Sequence, residues 1–336
     1  SDLGVIGTVQ LPYGIGVIAE TPWAAFKGKS ALKVTWSRGG KAWGHSTEKG
    51  LQAFTAIARD ESKTGVSWEK VGDAPAAMKQ AANVYEAEYT CDYAYHAQME
   101  PLNSVASVSP AADAVEIWCG TQSQSMAVTA AANALGIAED RVKFNGLLLG
   151  GGFGRRGHRD EEFVVESVLL SKATKRPVKL LWTREDDIRN GRFRPIYVQR
   201  VKAGFDAQGK LTAWHHRIVC DQVLAFQDPV RYKLFKGSDG IALRGGELKT
   251  YDIPNRFAEG ILEETGIRTS SLRAIGVGPT KFAVEAFLDE IATQRKIDPV
   301  QLRLELLKNQ PRARAVVEEV ARMAEWTKPR PAGRAL

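Results

Sequence analysis

Apolar and polar residues alternate from Val5 to Leu11 and again from Ile15 to Ala19, on either side of Pro12-Tyr13-Gly14, which predicts two strands joined by a turn. Thr21-Pro22 then offers a hydroxyl N-cap and a proline at the first helical position, so a helix follows to about Leu32. Leu32 to Trp36 alternates once more and reads as a half-buried strand. From Gly39-Gly40 to about Lys70 the pattern is polar and loose, with one helix at Thr47 to Ala58. A second helix, Ala74 to Asn83, leads into the β-rich run Val84 to Thr90.

Ala114 to Cys119 is the next strand, followed by a helix from Met126 to Leu135 that Gly136 closes at its C′ position. Arg141 to Leu149 is a strand, Asp160 to Lys172 an amphipathic helix, and Pro177 to Trp182 a further strand. Tyr197 to Phe205 and Leu211 to Cys220 form a hairpin around the glycine-containing turn Asp206 to Lys210. Asp221 to Asn255 carries no period and reads as the irregular wall of a pocket or partner surface. Val284, Phe287, Leu288 and Ile291 then make the clearest helical stripe in the chain. Asp298-Pro299 opens a helix to about Leu307, Arg312 to Trp326 is another, and the Pro/Gly/Lys/Arg tail reads as a linker.

The pattern breaks most sharply after Leu147-Leu148-Leu149, where four glycines surround one aromatic in Gly150-Gly151-Gly152-Phe153-Gly154-Arg155-Arg156. Glycine tolerates positive φ and lets amide N–H groups face a ligand, so this density predicts close approach of a bound group. Phe153 reads as a buried anchor that fixes the loop to a core. Strand ends bearing Gln122 and this loop can lie side by side, the usual place for ligands in layered α/β structures. Gln122 can donate and accept, which suits contact with an oxo or carbonyl group, and equally suits a helix cap.

Composition narrows the classes. With 336 residues and 44% hydrophobic content the chain can bury a large core, and its length suggests about two domains. No apolar run approaches the ~20 residues of a membrane span. The net charge of +7 is spread along the chain, which favours a basic surface or an anion-binding cleft over a nucleic-acid stripe. Cys91, Cys119 and Cys220 form no C-x-x-C pair, and His215-His216 point to opposite faces of a strand, so iron–sulfur and zinc spacings are lacking.

Three further features carry chemistry. His96 and Glu100 read either as an acid/base or orienting pair in a cleft, or as a satisfied core histidine and a carboxylate anchoring the turn before Pro101; each alone favours the second. Arg273, in the second glycine-punctuated loop Arg268 to Pro279, reads as an anion ligand or as the partner of a carboxylate. Gly152 to Gly157 satisfies G-x-G-x-x-G between a strand and a helix, so a nicotinamide- or flavin-binding oxidoreductase is a competing reading. Arg155 to Arg159 make a poor first helical turn for it. A non-enzymatic basic binding module is the third class.

Thr121-Gln122, the run Gly150 to Arg156, Leu180 to Ile188, Leu272 to Gly276 and Phe282 to Ala292, in that order, resemble the large, molybdopterin-binding subunit of the xanthine oxidase family. The F-G-R-R form, with Tyr95-His96-Ala97-Gln98-Met99-Glu100-Pro101 upstream, is most similar to the isoquinoline 1-oxidoreductase and aldehyde dehydrogenase branch. The resemblance implies an α+β fold: the end of an α/β-hammerhead domain over 1–40, a connection over 41–80, a first molybdopterin-binding domain over 81–296, and over 297–336 the helical start of a second one or a linker. It implies hydroxylation of an N-heteroaromatic compound or aldehyde with water as the oxygen source. Gln122, Gly151, Gly152, Phe153, Gly154, Arg155 and Arg273 match cofactor-binding positions, with no residue bound directly to metal, and His96, Glu100, Gly157 and Ile275 match the substrate pocket.

The implied cofactor is molybdenum–molybdopterin, with the cytosine dinucleotide form as one option. The implied partners are a small 2Fe-2S subunit, a chain or segment carrying the rest of the large subunit, and a cytochrome c as a candidate acceptor. Gly157 and Ile275 stand where purine-oxidising members carry an acidic residue and a stacking phenylalanine, so purines are not expected. The family's general-base glutamate is expected outside this chain, leaving no catalytic residue within it and an inactive isolated chain. Cytoplasmic and periplasmic locations both fit.

Overall fold

The strand Leu211–Asp221 is buried along almost its whole length on both faces, which is why its apolar run is nearly continuous, and the larger sheet is built around it. The computed structural model describes residues 4–333. In this five-stranded sheet the order is Val66–Val71, Asn255–Glu263, Leu211–Asp221, Tyr197–Phe205, Asn83–Cys91. Only the pair Leu211–Asp221 and Asn255–Glu263 is parallel. The hairpin read from the sequence is present, with its turn at Asp206 to Lys210.

One face of the sheet carries the helix Val277–Gln294. Its Val284, Phe287, Leu288 and Ile291 pack with Val201, Ala203, Phe205 and Trp214 in the largest core cluster. Helix Thr47–Arg59 covers the other face, with Phe54 and Ala58 against Ile196, Val198 and Val219. Alternate residues of Tyr197–Phe205 thus serve two helices, the expected consequence of the two-residue strand period.

The smaller sheet has four strands in the order Val142–Gly146, Val115–Cys119, Asn103–Val108, Val178–Leu181, with only the first pair parallel. The helices Gln124–Leu135 and Glu162–Thr174 pack against it through Ala127, Ala131, Phe163, Val164 and Val168. A two-residue ladder, Phe193–Arg194 with Ala94–Tyr95, lies between the two sheets in the chain. The N-terminal hairpin, Val5–Leu11 with Gly14–Ala19, sits over the helix Glu162–Thr174, and Gly16 touches Leu170 so closely that a Cβ there would lie 2.4 Å from Cδ2.

Several elements differ from expectation. Leu32 to Trp36 forms no strand. The strand expected to reach Leu149 stops at Gly146, and Leu148 is fully exposed. Val66–Val71, inside the stretch read as loose connection, is an edge strand, and its mostly exposed side chains explain the weak signal. The central strand Asn103–Val108 gave no apolar signal because its buried face is Ser104, Ala106 and Val108, with Ser104 bonded to Ser167 at 3.0 Å. Asn255–Glu263 hides behind a buried charge, since Glu259 pairs with Arg217 and His215. Leu302 and Leu306 join the core of the helix Val277–Gln294.

Candidate cofactor site

The glycine loop leaves the strand Val142–Gly146 and is gripped at once by Glu100. The Gly150 amide donates to Glu100 Oε2 at 2.8 Å, and the Glu100 amide donates back to Gly150 O at 3.2 Å. Only glycine allows this contact, because a Cβ on residue 150 would sit 2.5 Å from that of Glu100. Burial works against ionisation of Glu100, but the Gly150 N–H, Asn103 and Arg156 together hold its carboxyl below the usual range.

The anchor of the loop is not the aromatic. Phe153 was expected to be buried, yet it is 41% exposed with φ 54°, and the two arginines that follow it are completely buried. Arg156 donates to three carbonyls, Gly120 O at 2.9 Å, Glu100 O at 2.8 Å and Pro101 O at 3.2 Å, and meets Glu100 Oε2 at 3.1 Å. Arg155 pairs with Glu162 at 2.6 Å and stacks near Trp182. A planar guanidinium can satisfy several fixed acceptors at once, which is what holds an irregular backbone in one shape. Burial disfavours the charged form of Glu162, but Arg155 and Arg192 hold its pKa well below the ordinary value.

With the arginines inside, the loop leaves three of its amides without a partner among the described residues. Gly151 has φ 94° and Gly154 φ 109°, and the N–H groups of Gly151, Gly152 and Phe153 find no acceptor among the described residues. Consecutive free amides in such a turn form a nest for anionic oxygens. Gln122 completes the edge. Its Oε1 accepts from Gly154 N at 2.9 Å and Arg156 N at 3.3 Å, and its backbone N–H donates to Arg156 O at 2.7 Å. Two backbone donors require the oxygen on that side, so the NH2 of the amide faces away from the loop as a donor. A Cβ on residue 152 would lie 2.4 Å from Gln122 Oε1, so a side chain there would displace the Gln122 amide.

The second loop closes against the first. Arg273 N donates to Phe153 O at 2.8 Å, and the Arg273 guanidinium lies 5.4 Å from the Phe153 ring centroid. That side chain is exposed and pairs with no carboxylate among the described residues. Ala274 and Ile275 hold φ of 74° and 54°, an arrangement that costs energy for side-chain-bearing residues and persists only where neighbours enforce it. Gly154 is one such neighbour: a Cβ there would be 2.0 Å from Ser271 O.

His96 and Glu100 are not a pair. His96 Nε2 is 2.9 Å from Ser271 O and the ring is buried, which pushes its pKa down to about 4. His158 meets Ser270 Oγ at 2.8 Å in the same way. Two histidines therefore hold the second loop while Glu100 holds the first. Gly157 stands beside Gln122 with room for a methyl group, and Ile275 is half-buried at the turn of the second loop. The buried roles of Arg156, Glu161 and Ser270 were not legible, because burial of a polar residue leaves no periodic trace.

The dinucleotide reading meets two obstacles. The helix Glu162–Thr174 begins five residues beyond Gly157, so the free amides are not its N-terminus and lack the helix dipole that such a unit turns toward phosphate. The next strand, Val178–Leu181, lies at the opposite edge of the sheet rather than beside Val142–Gly146.

Comparisons with known proteins agree with the geometry. The molybdopterin cofactor-binding domain family matches residues 57–307. The isoquinoline 1-oxidoreductase subunit beta of Brevundimonas diminuta is 30% identical over 331 residues, spanning 96% of this chain and 42% of that protein. The membrane-bound aldehyde dehydrogenase [pyrroloquinoline-quinone] of Gluconacetobacter polyoxogenes is 36% identical over 308 residues, 88% of this chain and 38% of that one. The chain thus spans about two-fifths of the length of these curated relatives. The solved quinoline 2-oxidoreductase of Pseudomonas putida 86 shares the fold with a TM-score of 0.66 at 19% identity, over 89% of this chain and 39% of that chain. The order of its motifs, its fold and the match across most of its length agree: the chain belongs to the molybdopterin cofactor-binding domain family of xanthine oxidase-type large subunits.

Proposed function

We propose that this chain forms one wall of a molybdenum–molybdopterin site in a hydroxylase that oxidises an N-heteroaromatic compound or an aldehyde with water as the oxygen source. The observation that carries the reading is the convergence of donors: three free loop amides, the outward NH2 of Gln122 and the unpaired guanidinium of Arg273. That donor set fits an anionic, oxygen-rich group. When bound, the cofactor supplies two-electron oxidation chemistry. Gly151, Gly152 and Phe153 would hold it through backbone N–H groups, Gln122 would present an amide donor to it, and Arg273 would balance its negative charge. Arg155 supports this set rather than adding to it, because its side chain is turned inward and its amide donates to Gly152 O at 2.8 Å.

No carboxylate at the loop is a free base. Glu100 and Glu162 are engaged by amides and arginines, and Glu161 is sealed from solvent. Water activation therefore falls to a glutamate outside this chain. Electrons would pass to a small 2Fe-2S subunit and onward to an acceptor such as a cytochrome c. The hairpin and helix of residues 4–30 fit the end of an α/β-hammerhead domain, and the cytosine dinucleotide form of the cofactor is compatible with the open rim of the loop.

Metal analysis for molybdenum and pterin fluorescence test this on the chain purified alone and with its native companions. Molybdenum and pterin in the co-purified complex, lost on Gln122→Ala or Arg273→Ala, are the expected outcome. Their lack in both preparations, with bound nicotinamide or flavin instead, would overturn it.

A further inference from the structure

Glu161 sits behind the cofactor wall in a setting that the cofactor reading does not use. It is 1% exposed, its backbone is left-handed with φ 33°, and its Oε2 has no hydrogen-bond partner. Three arginines lie in this part of the molecule, yet Arg155, Arg156 and Arg192 pair with Glu162, Glu100 and Asp160, and no cation among the described residues reaches Glu161. Its one side-chain contact is Thr121, with Oε1 3.2 Å from Thr121 Oγ1.

The hydrogen-bond count around Thr121 decides the state of this carboxyl. Thr121 Oγ1 also lies 2.9 Å from Arg156 O and accepts from Ser123 N at 3.2 Å. A carbonyl only accepts, so the single hydroxyl proton belongs to the bond with Arg156 O. The contact with Glu161 is then a hydrogen bond only if Glu161 carries the donor. With a proton, the chain Glu161 → Thr121 → Arg156 O is complete. Without it, two oxygens compete for one hydrogen, and the ionised group is buried with no cation to offset it.

We propose that Glu161 is a positioning residue held as a neutral carboxylic acid, which donates to Thr121 and so locks the turn in which Arg156 orients the Gln122 amide. Burial supports this by pushing its pKa up to about 8 against the hydrogen bonds with Thr121 and the His158 backbone, with the charges of Glu162 and Asp160 adding to the rise. The other groups facing it are His158, whose carbonyl accepts from the Glu161 amide, and Cys119 of the strand Val115–Cys119. Neither is a cation, since burial pushes the His158 pKa down to about 3 and the Cys119 thiol up to about 12. Ionisation of Glu161 at alkaline pH draws the Thr121 hydroxyl away from Arg156 O and loosens the Gln122 turn.

The hydrogen-bond assignment stands whatever the loop binds; its weight for cofactor retention rests on the reading under Proposed function. The test compares the full chain with Glu161→Gln, which keeps a donor, with Glu161→Leu, which removes it, and with Thr121→Val, which cuts the relay and leaves Glu161 in place. Infrared difference spectra of wild type against Glu161→Gln should show a protonated carboxyl at pH 6.5 that disappears with a midpoint near 8. Hydrogen exchange at the Gln122 amide should rise at least tenfold in Thr121→Val and Glu161→Leu, and in wild type above that midpoint, but not in Glu161→Gln. Pterin retention in the complex should follow the same order. An ionised Glu161 at pH 6.5, or Gln122 exchange in Thr121→Val equal to wild type, overturns the proposal. A complex without pterin in any variant, wild type included, would instead overturn the cofactor reading and leave the spectra and exchange to decide this one.

Discussion

Gly152 and Gly154 face opposite sides of the loop, and replacing each with alanine separates stability from binding. Gly154→Ala places a Cβ against the Ser271 carbonyl at a φ of 109°, where neither side can give way. It should destabilise the chain by about 2 kcal/mol or more, seen as a lower urea midpoint. Gly152→Ala meets only the end of the Gln122 side chain. It should cost about 1 kcal/mol or less by the same measure while cutting pterin retention, because Gln122 must leave the position that aims its NH2 outward. Equal stability losses in the two variants would contradict this assignment of faces. Arg156→Lys keeps the charge but not the fork that serves three carbonyls, so a loss on the order of 3 kcal/mol is expected, together with the binding defect. The glycines were legible because their number had no other use. The inward turn of the arginines was not, since charged residues after a loop ordinarily stay in water and only the carbonyls of Gly120, Glu100 and Pro101, brought from elsewhere in the chain, reverse that preference.

At the scale of elements, the helix Val277–Gln294 joins the second loop to the core of the larger sheet. Phe287 is buried against Trp214 with ring centroids 5.4 Å apart. Phe287→Ala should cost about 3–5 kcal/mol in denaturant unfolding, and a loss under about 1 kcal/mol would mean that the helix does not carry this core. This helix was readable in advance because one face is buried and one exposed, so its period survives in the residue pattern. Asn103–Val108 was unreadable for the opposite reason. A strand that buries serine and alanine between two neighbours satisfies its backbone through the ladder and shows no apolar alternation. Glycine-loop geometry depends on it, because Glu100 and Pro101 lie just before this strand and supply the acceptors for Arg156.

For the whole molecule, buried titratable groups set the pH at which it is most stable. His96, His158 and His216 are held neutral by burial, with pKa values pushed down to about 4, 3 and 3. Below the unfolded value of about 6.5 the unfolded chain binds protons that the folded chain refuses, so stability falls as pH falls, by on the order of 1.4 kcal/mol per group per pH unit. Glu161 and Glu166 act in the other direction, raised by burial to about 8 and about 7. Above the unfolded carboxylate value they stay protonated when folded, so stability falls as pH rises until each folded pKa is passed. Between about 4.5 and 6.5 three histidines outweigh two carboxyls, and above that range only the carboxyls act. The melting temperature should therefore peak near pH 6.5 and fall on both sides. Glu161→Gln should flatten the alkaline side and steepen the rise between about 4.5 and 6.5, where one opposing carboxyl is then missing; a profile that still rises at pH 8 would contradict the burial of these carboxyls.

Composition, the glycine-rich run and the order of spaced motifs were enough to name the family, because each is a local property of the chain. They also led to Gln122, the loop amides and Arg273 as candidates for one site, and the fold sets Gln122 against Gly154 and Arg273 against Phe153. Tertiary structure alone decided which of those groups face outward. Phe153 is exposed and the two arginines buried because Glu162 pairs with Arg155 and carbonyls distant in the chain, those of Glu100 and Pro101, gather around Arg156. The neutral state of Glu161 has the same origin. A carboxyl's charge depends on the cations and water around it, and only the folded chain removes both.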